Sequence, residues 1–382
     1  MSAECFPDGT PIDSWFCDSS APSLSSLGKQ YVASDFGVLD DGKVHTAEFQ
    51  ALIDRVSSDG GGVVVIPSGT YFLGAVWLKA GVHLYIKKGG ILKGSDDIAD
   101  YPPCETRIEG EFCRYFPALI NAENIDGLCI FGEGTIDGNG LRSWRAFWLR
   151  RDWNPDCTNK DEQRARLLFI SNCKNVIVSG LTLQNSQFWT LHLYKCEKAK
   201  ILSCKMISPA EPVKAPSTDA IDLDVCSDIL IKKCFMSVND DAVALKGGKG
   251  AWADTKSENG ANERIIIEDC EFGFCHGCLT VGSESVHDKN ILVRRVKVSS
   301  GFNLLWLKMR PDTPQIYEFI ALENIHAKVN NFLTVRPWTQ FFDSQGRADI
   351  PVSRAEHISI RRCVCECDCA YNIEQNDGQY RL

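Results

Sequence analysis

In the second half of the chain, apolar residues recur at offsets 0, 2, 5 and 7 of a repeating unit. The copies are Val176-Val178-Leu181-Leu183, Ala199-Ile201-Cys204-Met206, Ile229-Ile231-Cys234-Met236, Ile265-Ile267-Cys270-Phe272, Ile291-Val293-Val296-Val298 and Ile358-Ile360-Cys363-Cys365, with a weaker one at Ile320-Leu322-Ile325-Ala327. Within each half of the unit the period is two, which predicts a strand; the three-residue step between halves predicts a bend onto a second short strand. Successive units begin 23 to 38 residues apart (176 to 199 and 320 to 358 at the extremes). A constant strand unit with variable spacers predicts a β-solenoid, in which each coil buries its inward side chains against the coils on either side. Surplus residues then leave as loops on one side and form the walls of a groove.

Upstream, Gly60-Gly61-Gly62 leads into Val63 to Pro67, and Val82-Leu84-Ile86 followed by Ile91 begins further coils. Thr46 to Val56 carries Ala47, Phe49, Leu52, Ile53 and Val56 on one helical face. A short amphipathic helix of this kind plugs the open end of a solenoid and blocks edge-to-edge association of its strands. The expected organisation is an irregular N-terminal segment over 1–29 and a single all-β coiled domain over 30–382.

The formal charge is −9, and no run of five Lys or Arg occurs, which argues against a nucleic-acid or anionic-membrane partner. No apolar run reaches the ~18 residues of a membrane span, and the opening Met1 to Trp15 lacks the basic start and apolar stretch of a signal peptide. Of the 18 cysteines, Cys204, Cys234, Cys270 and Cys363 occupy the same position of the repeat, where a small core residue belongs. The run Cys363, Cys365, Cys367, Cys369 is expected to present thiols to opposite strand faces and so not to close on one metal. Reduced structural thiols predict a cytoplasmic protein without metal or cofactor; a secreted chain whose signal had been removed would read the same way.

Three stretches place acids, a histidine and glycines directly after a strand: Ser217-Thr218-Asp219-Ala220-Ile221-Asp222, Asn239-Asp240-Asp241-Ala242-Val243 and Cys275-His276-Gly277. Asp240 lies four residues past Met236, and His276 four past Phe272, so they occupy the same place on successive coils about 4.8 Å apart. Removing the proline-rich loop Ser208 to Pro216 brings Asp219 into that register, one coil before Asp240. Single acids in turns commonly serve local hydrogen bonds. Three acids and a histidine stacked beside long loops point instead to proton chemistry, because like charges at this spacing raise one another's pKa. Asp222, Asp224 and Asp228 are expected to be turn and surface residues.

In that order, the Ser-Thr-Asp, Asn-Asp-Asp and His-Gly stretches resemble the signature of the polygalacturonases, glycoside hydrolase family 28. Asn185-Ser186-Gln187-Phe188-Trp189-Thr190-Leu191-His192, Gly134-Thr135-Ile136-Asp137-Gly138, Asp35-Phe36-Gly37 and Pro67-Ser68-Gly69-Thr70-Tyr71 extend the similarity over roughly residues 34 to 330. The resemblance implies a right-handed parallel β-helix that hydrolyses α-D-galacturonosyl linkages of pectic chains with inversion. It implies Asp240 as general acid, Asp219 and Asp241 as the groups that hold and deprotonate water, His276 as a tuner of the acid, and Lys308 as a carboxylate binder. Coil spacing alone puts the acids closer than the ~6.5–9.5 Å usual for inversion, so the stereochemistry comes from the resemblance only.

On a negative protein, a polyanionic substrate needs local cations, and Lys246, Lys249, Lys308, Arg310 and Arg336 lie near the motifs. Two departures from the family pattern stand out: Ser217 replaces an Asn, and Trp306-Leu307-Lys308 replaces Arg-Ile-Lys. An indole at 306 suits an uncharged sugar such as rhamnose, with Arg310 replacing the missing charge as the other account, so a rhamnogalacturonan hydrolase is the alternative. A calcium-dependent pectate lyase would need a catalytic arginine in register with the acids, and a non-catalytic binding solenoid would not need all three of them. The loop Gly138 to Leu168, with Trp144, Phe147, Trp148, Trp153 and several arginines, either walls off one end of the groove and confines cleavage to chain ends or packs on itself.

Overall fold

Val176, Ala199, Ile229, Ile265, Ile291, Ile320 and Ile358 pair one above the next in a single parallel ladder. The last positions of the same units, Leu183, Met206, Met236, Phe272, Val298, Ala327 and Cys365, form a second ladder. A third, outside the repeat pattern, runs through Leu191, Ile221, Val243, Leu279, Leu305 and Leu333. The computed structural model, which describes residues 4–382, is thus a right-handed parallel β-helix. One sheet has twelve strands; the second and third ladders merge into an eighteen-stranded sheet through His326–Pro337.

The bend falls where the three-residue step put it. Ser203, Lys233, Asp269, Arg295, Asn324 and Arg362 take φ between 53° and 57° there, a left-handed conformation that costs a non-glycine residue about 1–2 kcal/mol. The following residue turns inward, and the thiols of Cys204, Cys234, Cys270 and Cys363 each meet a carbonyl of the preceding coil at 3.5, 3.5, 3.8 and 3.5 Å. Cys173, Cys196 and Cys226 line the core at another corner, a set the repeat pattern did not reveal.

Helix Thr46–Ser58 caps the N-terminal end with Phe49, Leu52, Ile53 and Val56 buried, while Ala47 faces solvent. Residues 1–3 of the expected irregular segment lie outside the described residues. From residue 4 that segment has short 3-10 turns, and it is docked: Phe6 and Phe16 pack on Leu202, Leu230, Ile266, Leu292 and Ala321, on the outer face of five consecutive coils of the twelve-stranded sheet.

At the C-terminal end, Ile358, Ile360, Cys363, Cys365 and Cys367 pack against the core only partly buried. This corrects the expectation for the cysteine run: residues two apart share a strand face, so these thiols point the same way. No helix of the described residues is long and apolar enough to cross a membrane.

Candidate active site

The site is built on the outward side chains of the third ladder and the loops that follow or precede its strands. Ile221 and Val243 are paired, so Asp219 and Asp241, each two residues earlier, share a level, and Ala220 N donates to Asp241 O at 3.0 Å. Asp219 is thus in register with Asp241, one residue from the expected alignment with Asp240. Asp240 and His276 are neighbours as expected: His276 N donates to Asp240 O at 2.8 Å, and His276 Nδ1 lies 3.4 Å from Asp240 Oδ1.

One carboxylate oxygen from each of Asp219, Asp240 and Asp241 falls within 4.8 Å of the others. Asp219 and Asp241 are buried, while the side chains of Asp240 and His276 remain 26% and 23% exposed and form the accessible lip. Lys308 Nζ donates to Asp241 Oδ2 at 2.8 Å and lies over the rings of Trp306 and Trp338 at 4.3 and 4.8 Å. Lys246 Nζ faces Glu284 Oε2 at 3.2 Å, Asp222 Oδ1 at 3.8 Å and Asp219 Oδ2 at 4.0 Å. With two ammonium groups among its carboxylates, the cluster already holds internal counter-charge.

These surroundings separate the acids. Burial, reinforced by Asp240 and Asp222, pushes Asp219 well above the usual carboxylate range. Burial also raises Asp240, but the His276 hydrogen bond and charge, Lys308 and Lys246 outweigh it, and its net shift is downward. Glu284 loses to burial and gains more from Lys246, Arg310 and Lys249, and is held well below its ordinary value. Burial and like charge thus favour the protonated form at Asp219 over Asp240 in the free cleft.

Asp219, Asp240, Asp241, His276, Lys246, Lys308 and Trp306 all line one cleft. Arg310 does not. It is 1% exposed, bonded to Asp312 at 2.7 and 2.8 Å, and its remaining donors hold the carbonyls of Gln340 and Phe341 at 3.1 Å. It anchors the loop that carries Trp338, Gln340 and Phe341 to the rim. Arg336 is exposed beside Glu374, and Lys249 lies 3.8 Å from Glu109 at the rim.

Asp222 and Asp224 correct another expectation. Both sit in the strand Ile221–Asp224, fully buried beneath loops: Asp224 takes a bidentate pair from Arg107 at 2.8 and 3.1 Å, and Asp222 lies under the cleft beside Lys246. Asp228, paired with Arg264 at 2.7 Å, is partly exposed.

The segment Gly138 to Leu168 contains the helix Leu141–Trp153, which lines the cleft and also packs on its own segment and the neighbouring coil. Phe147 and Arg151 wall the cleft, while Trp144 Nε1 donates to Ser186 O and Arg151 and Arg164 stack on Phe147. Glu109, Glu284, Trp338 and Phe341 also line the cleft and were not singled out in the sequence. Glu284 follows the strand Gly277–Val281, at the opposite end of the ladder strands from Asp219, Asp240 and Asp241, where it faces Lys246, so the register of the other acids did not point to it. The other three lie in loops with no repeat register to place them.

The sequence model of glycosyl hydrolases family 28 matches residues 66–309. A probable polygalacturonase of Vitis vinifera is 29% identical over 224 residues, 56% of this chain, and the match spans 43% of that protein's length. An exopolygalacturonase of Platanus acerifolia is 23% identical over 299 residues, 76% of this chain and 70% of that protein. Among solved structures, a hyperthermoactive exopolygalacturonase from Thermotoga maritima superposes with a TM-score of 0.74 at 23% identity, covering 88% of this chain and 81% of its own. The polygalacturonase of Erwinia carotovora gives 0.70 at 19% identity over 90% and 95%. These two establish a shared fold. The family match includes every coil that contributes an acid to the cleft, and the chain belongs to glycosyl hydrolases family 28.

Proposed function

We propose that the chain hydrolyses α-D-galacturonosyl linkages of pectic chains, working from chain ends, with residues 30–382 as one catalytic domain. The observation that carries this is the union, in one cleft, of a three-carboxylate cluster with two buried lysines. Acids supply the proton and the activated water of glycoside hydrolysis; lysines answer the charge of a uronate. Asp240, exposed to the cleft, delivers the proton to the leaving oxygen, with His276 orienting it. Asp219 and Asp241 hold the water and accept its proton. When a galacturonate carboxylate approaches Lys308 and Lys246, their charge is shared with it, Asp240 loses part of its stabilisation as an anion, and the cluster's proton moves toward Asp240.

End-wise action is supported by the walls of the cleft, Phe147 and Arg151 on one side and the Trp338 to Phe341 loop on another, and by the exo-acting relative from Platanus acerifolia. Inversion is retained from the family resemblance, since the nearest carboxylate oxygens are closer than the ~6.5–9.5 Å that usually accompanies it. The rhamnose alternative is set aside: the ring of Trp306 carries Lys308 and meets Trp338 edge-on at 5.5 Å, which leaves it a packing partner. The buried ladder thiols Cys204, Cys234 and Cys270 are free, which supports a reducing compartment such as the cytoplasm as the place of action.

Early products on homogalacturonan test the proposal. Mono- or digalacturonate with no intermediate ladder is expected, and the anomer first formed, read by NMR, should be inverted. A ladder of oligomers would end the end-wise assignment, and no reducing-sugar release would end the hydrolase assignment.

A further inference from the structure

Asp222 is the most deeply placed acid of the site. Its side chain is fully buried, and among the described residues neither carboxylate oxygen meets a hydrogen-bond donor other than the neighbouring carboxyl of Asp219. Along its column it stands between His192 on the preceding coil and Ala244 on the next. His192 gives it no proton: Nδ1 is engaged by Arg166 at 2.7 Å, and Nε2 is turned to Asp224 at 3.4 Å. Arg166 gives its Nη atoms to Thr106, the Arg107 carbonyl and His192, its Nε meets no partner among the described residues, and it reaches Asp222 through charge alone. Lys246 is the nearest cation at 3.8 Å, but it stands closer to Glu284. Asp219, Asp240 and Asp241 are the remaining charged groups that face it.

Charge counting shows what this environment requires. Five carboxyls, Asp219, Asp222, Asp240, Asp241 and Glu284, share Lys246 and Lys308, with His276 at the lip. Like charges ~4 Å apart repel by about 4 kcal/mol even at an effective dielectric of 20, so the cluster cannot ionise completely. Glu284 has Lys246 and the Ser283 hydroxyl, Asp241 has Lys308, and Asp240 has His276 and solvent. Asp222 has no cation or hydroxyl of its own, only the Asp219 carboxyl and a share of Lys246, and a buried charge so placed is the costliest of the set.

We infer that Asp222 works as an uncharged acid beneath the cleft, and that its ionisation closes the alkaline side of the enzyme's range. This rests on the hydrolase function proposed above. While Asp222 is neutral, the charge of Lys246 remains available to Glu284, to Asp219 and to the carboxylate of an incoming galacturonate. Once ionised, Asp222 competes for Lys246, places a second negative charge beneath Asp219 and repels the uronate. In keeping with this, burial, with Asp241 and Asp240 adding to it against the pull of Lys246, pushes the Asp222 carboxyl up to about 8. Asp222 touches no reacting atom; it is a positioning residue acting through Lys246 and Asp219.

The test is Asp222→Asn, which fixes the uncharged form in the same shape, beside Asp222→Ala, which removes it. On homogalacturonan the Asn variant should keep its mildly acidic kcat/KM within about tenfold of wild type, lose less than the Ala variant, and carry its alkaline limb at least one pH unit higher. An alkaline limb at the same pH in wild type and Asn variant would overturn the inference. Infrared difference spectra need no substrate: beyond the bands that Asp219 and Asp288 contribute to both proteins, wild type should show a protonated carboxyl band that disappears near pH 8 and is missing from the Asn variant, and identical spectra of the two at neutral pH would also overturn the inference. If wild type leaves galacturonan intact, the proposed function fails while the infrared titration still decides the state of Asp222. Should Asp222→Asn not fold, Asp222→Ser carries both readouts.

Discussion

Lys246 and Lys308 stand two coils apart in one outward-facing column, and the coil between them contributes Gly282, next to the Val281 that pairs with both Leu245 and Leu307. Gly282 has φ +93°, and a Cβ there would come within 2.9 Å of the Lys308 carbonyl and 2.8 Å of Tyr317 Oη. The position between the two lysines in this column therefore carries no side chain of its own. A molecule of net charge −9 presents two separated cationic points to a polyanion, each backed by its own acid.

Lys308→Gln removes one of these points. A charge-assisted hydrogen bond contributes about 1.5–3 kcal/mol, so kcat/KM on oligogalacturonates should fall roughly ten- to a hundredfold, with a weaker dependence on salt. Steady-state kinetics at two ionic strengths check this, and an unchanged KM with an unchanged salt response would remove Lys308 from substrate binding.

Asp240→Asn should lower turnover by about 10²- to 10⁴-fold while the fold and oligosaccharide binding persist, since the side chain lies at the cleft lip and outside the core. Calorimetric binding beside rate measurements separates the two effects. More than about a tenth of wild-type activity would contradict the role of general acid.

Trp306→Arg should leave the preference for homogalacturonan over rhamnogalacturonan unchanged, because the indole is occupied by Lys308 and Trp338. Repulsion between the new guanidinium and Lys308 should lower activity on both polymers. Parallel assays on the two substrates decide it; a switch in preference would restore position 306 as a discriminator.

Glu268 receives Lys232, Arg294 and Arg295, each at 2.7 Å. Burial alone would raise its pKa, but hydrogen bonds from Lys232 and Arg294 and the charge of Arg294 draw it down to about 2 from 4.5. A depressed folded value means stability present above the unfolded value near 4.5 and lost as pH falls through about 2. Glu268→Gln should therefore lower stability by up to about 3 kcal/mol at neutral pH. Denaturant melts should show that deficit narrowing steadily below about pH 4. A constant deficit across the acid range would show that packing rather than charge is responsible.

Cys204, Cys234 and Cys270 should resist alkylation in the native protein and react together once the coils open. Mass spectrometry of protein purified without reductant checks this. Finding these three in disulfides would defeat both the ladder packing and the reducing compartment.

The coils were legible in the sequence because inward positions repeat with a period set by the strand and must be apolar in every coil; offset 0 of each unit stacks on offset 0 of the next without exception. The same regularity placed Asp240 beside His276. Asp219 was placed one residue out because its register is set by the strand that follows it, Ile221–Asp224, and counting from the strand before crosses a loop of uncertain reach. Asp222 and Asp224 were misread for a related reason: an outward strand position is solvent-facing or buried according to what the loops lay over it, and here the hairpin Cys104–Ile108 with Glu111–Tyr115 brings Arg107 down onto Asp224. Trp338 and Glu109 arrive from loops far along the chain, with no period to announce them. Arg310 had a plausible charge and position, but its local partner Asp312, two residues away, consumed it.

A solenoid joined only coil to coil can come apart one turn at a time, like a stack of coins tipped from the end. The Phe6 and Phe16 segment lies across five coils at once, with Lys200 paired to Asp18 at 3.2 Å and Arg294 to Glu4 at 2.9 Å along the way. Those coils are the ones whose opposite side supplies Asp219, Asp240, Asp241 and His276. A splint on the back of the stack makes these turns open together or not at all, so the spacing of the acids is guarded by residues that never come near them.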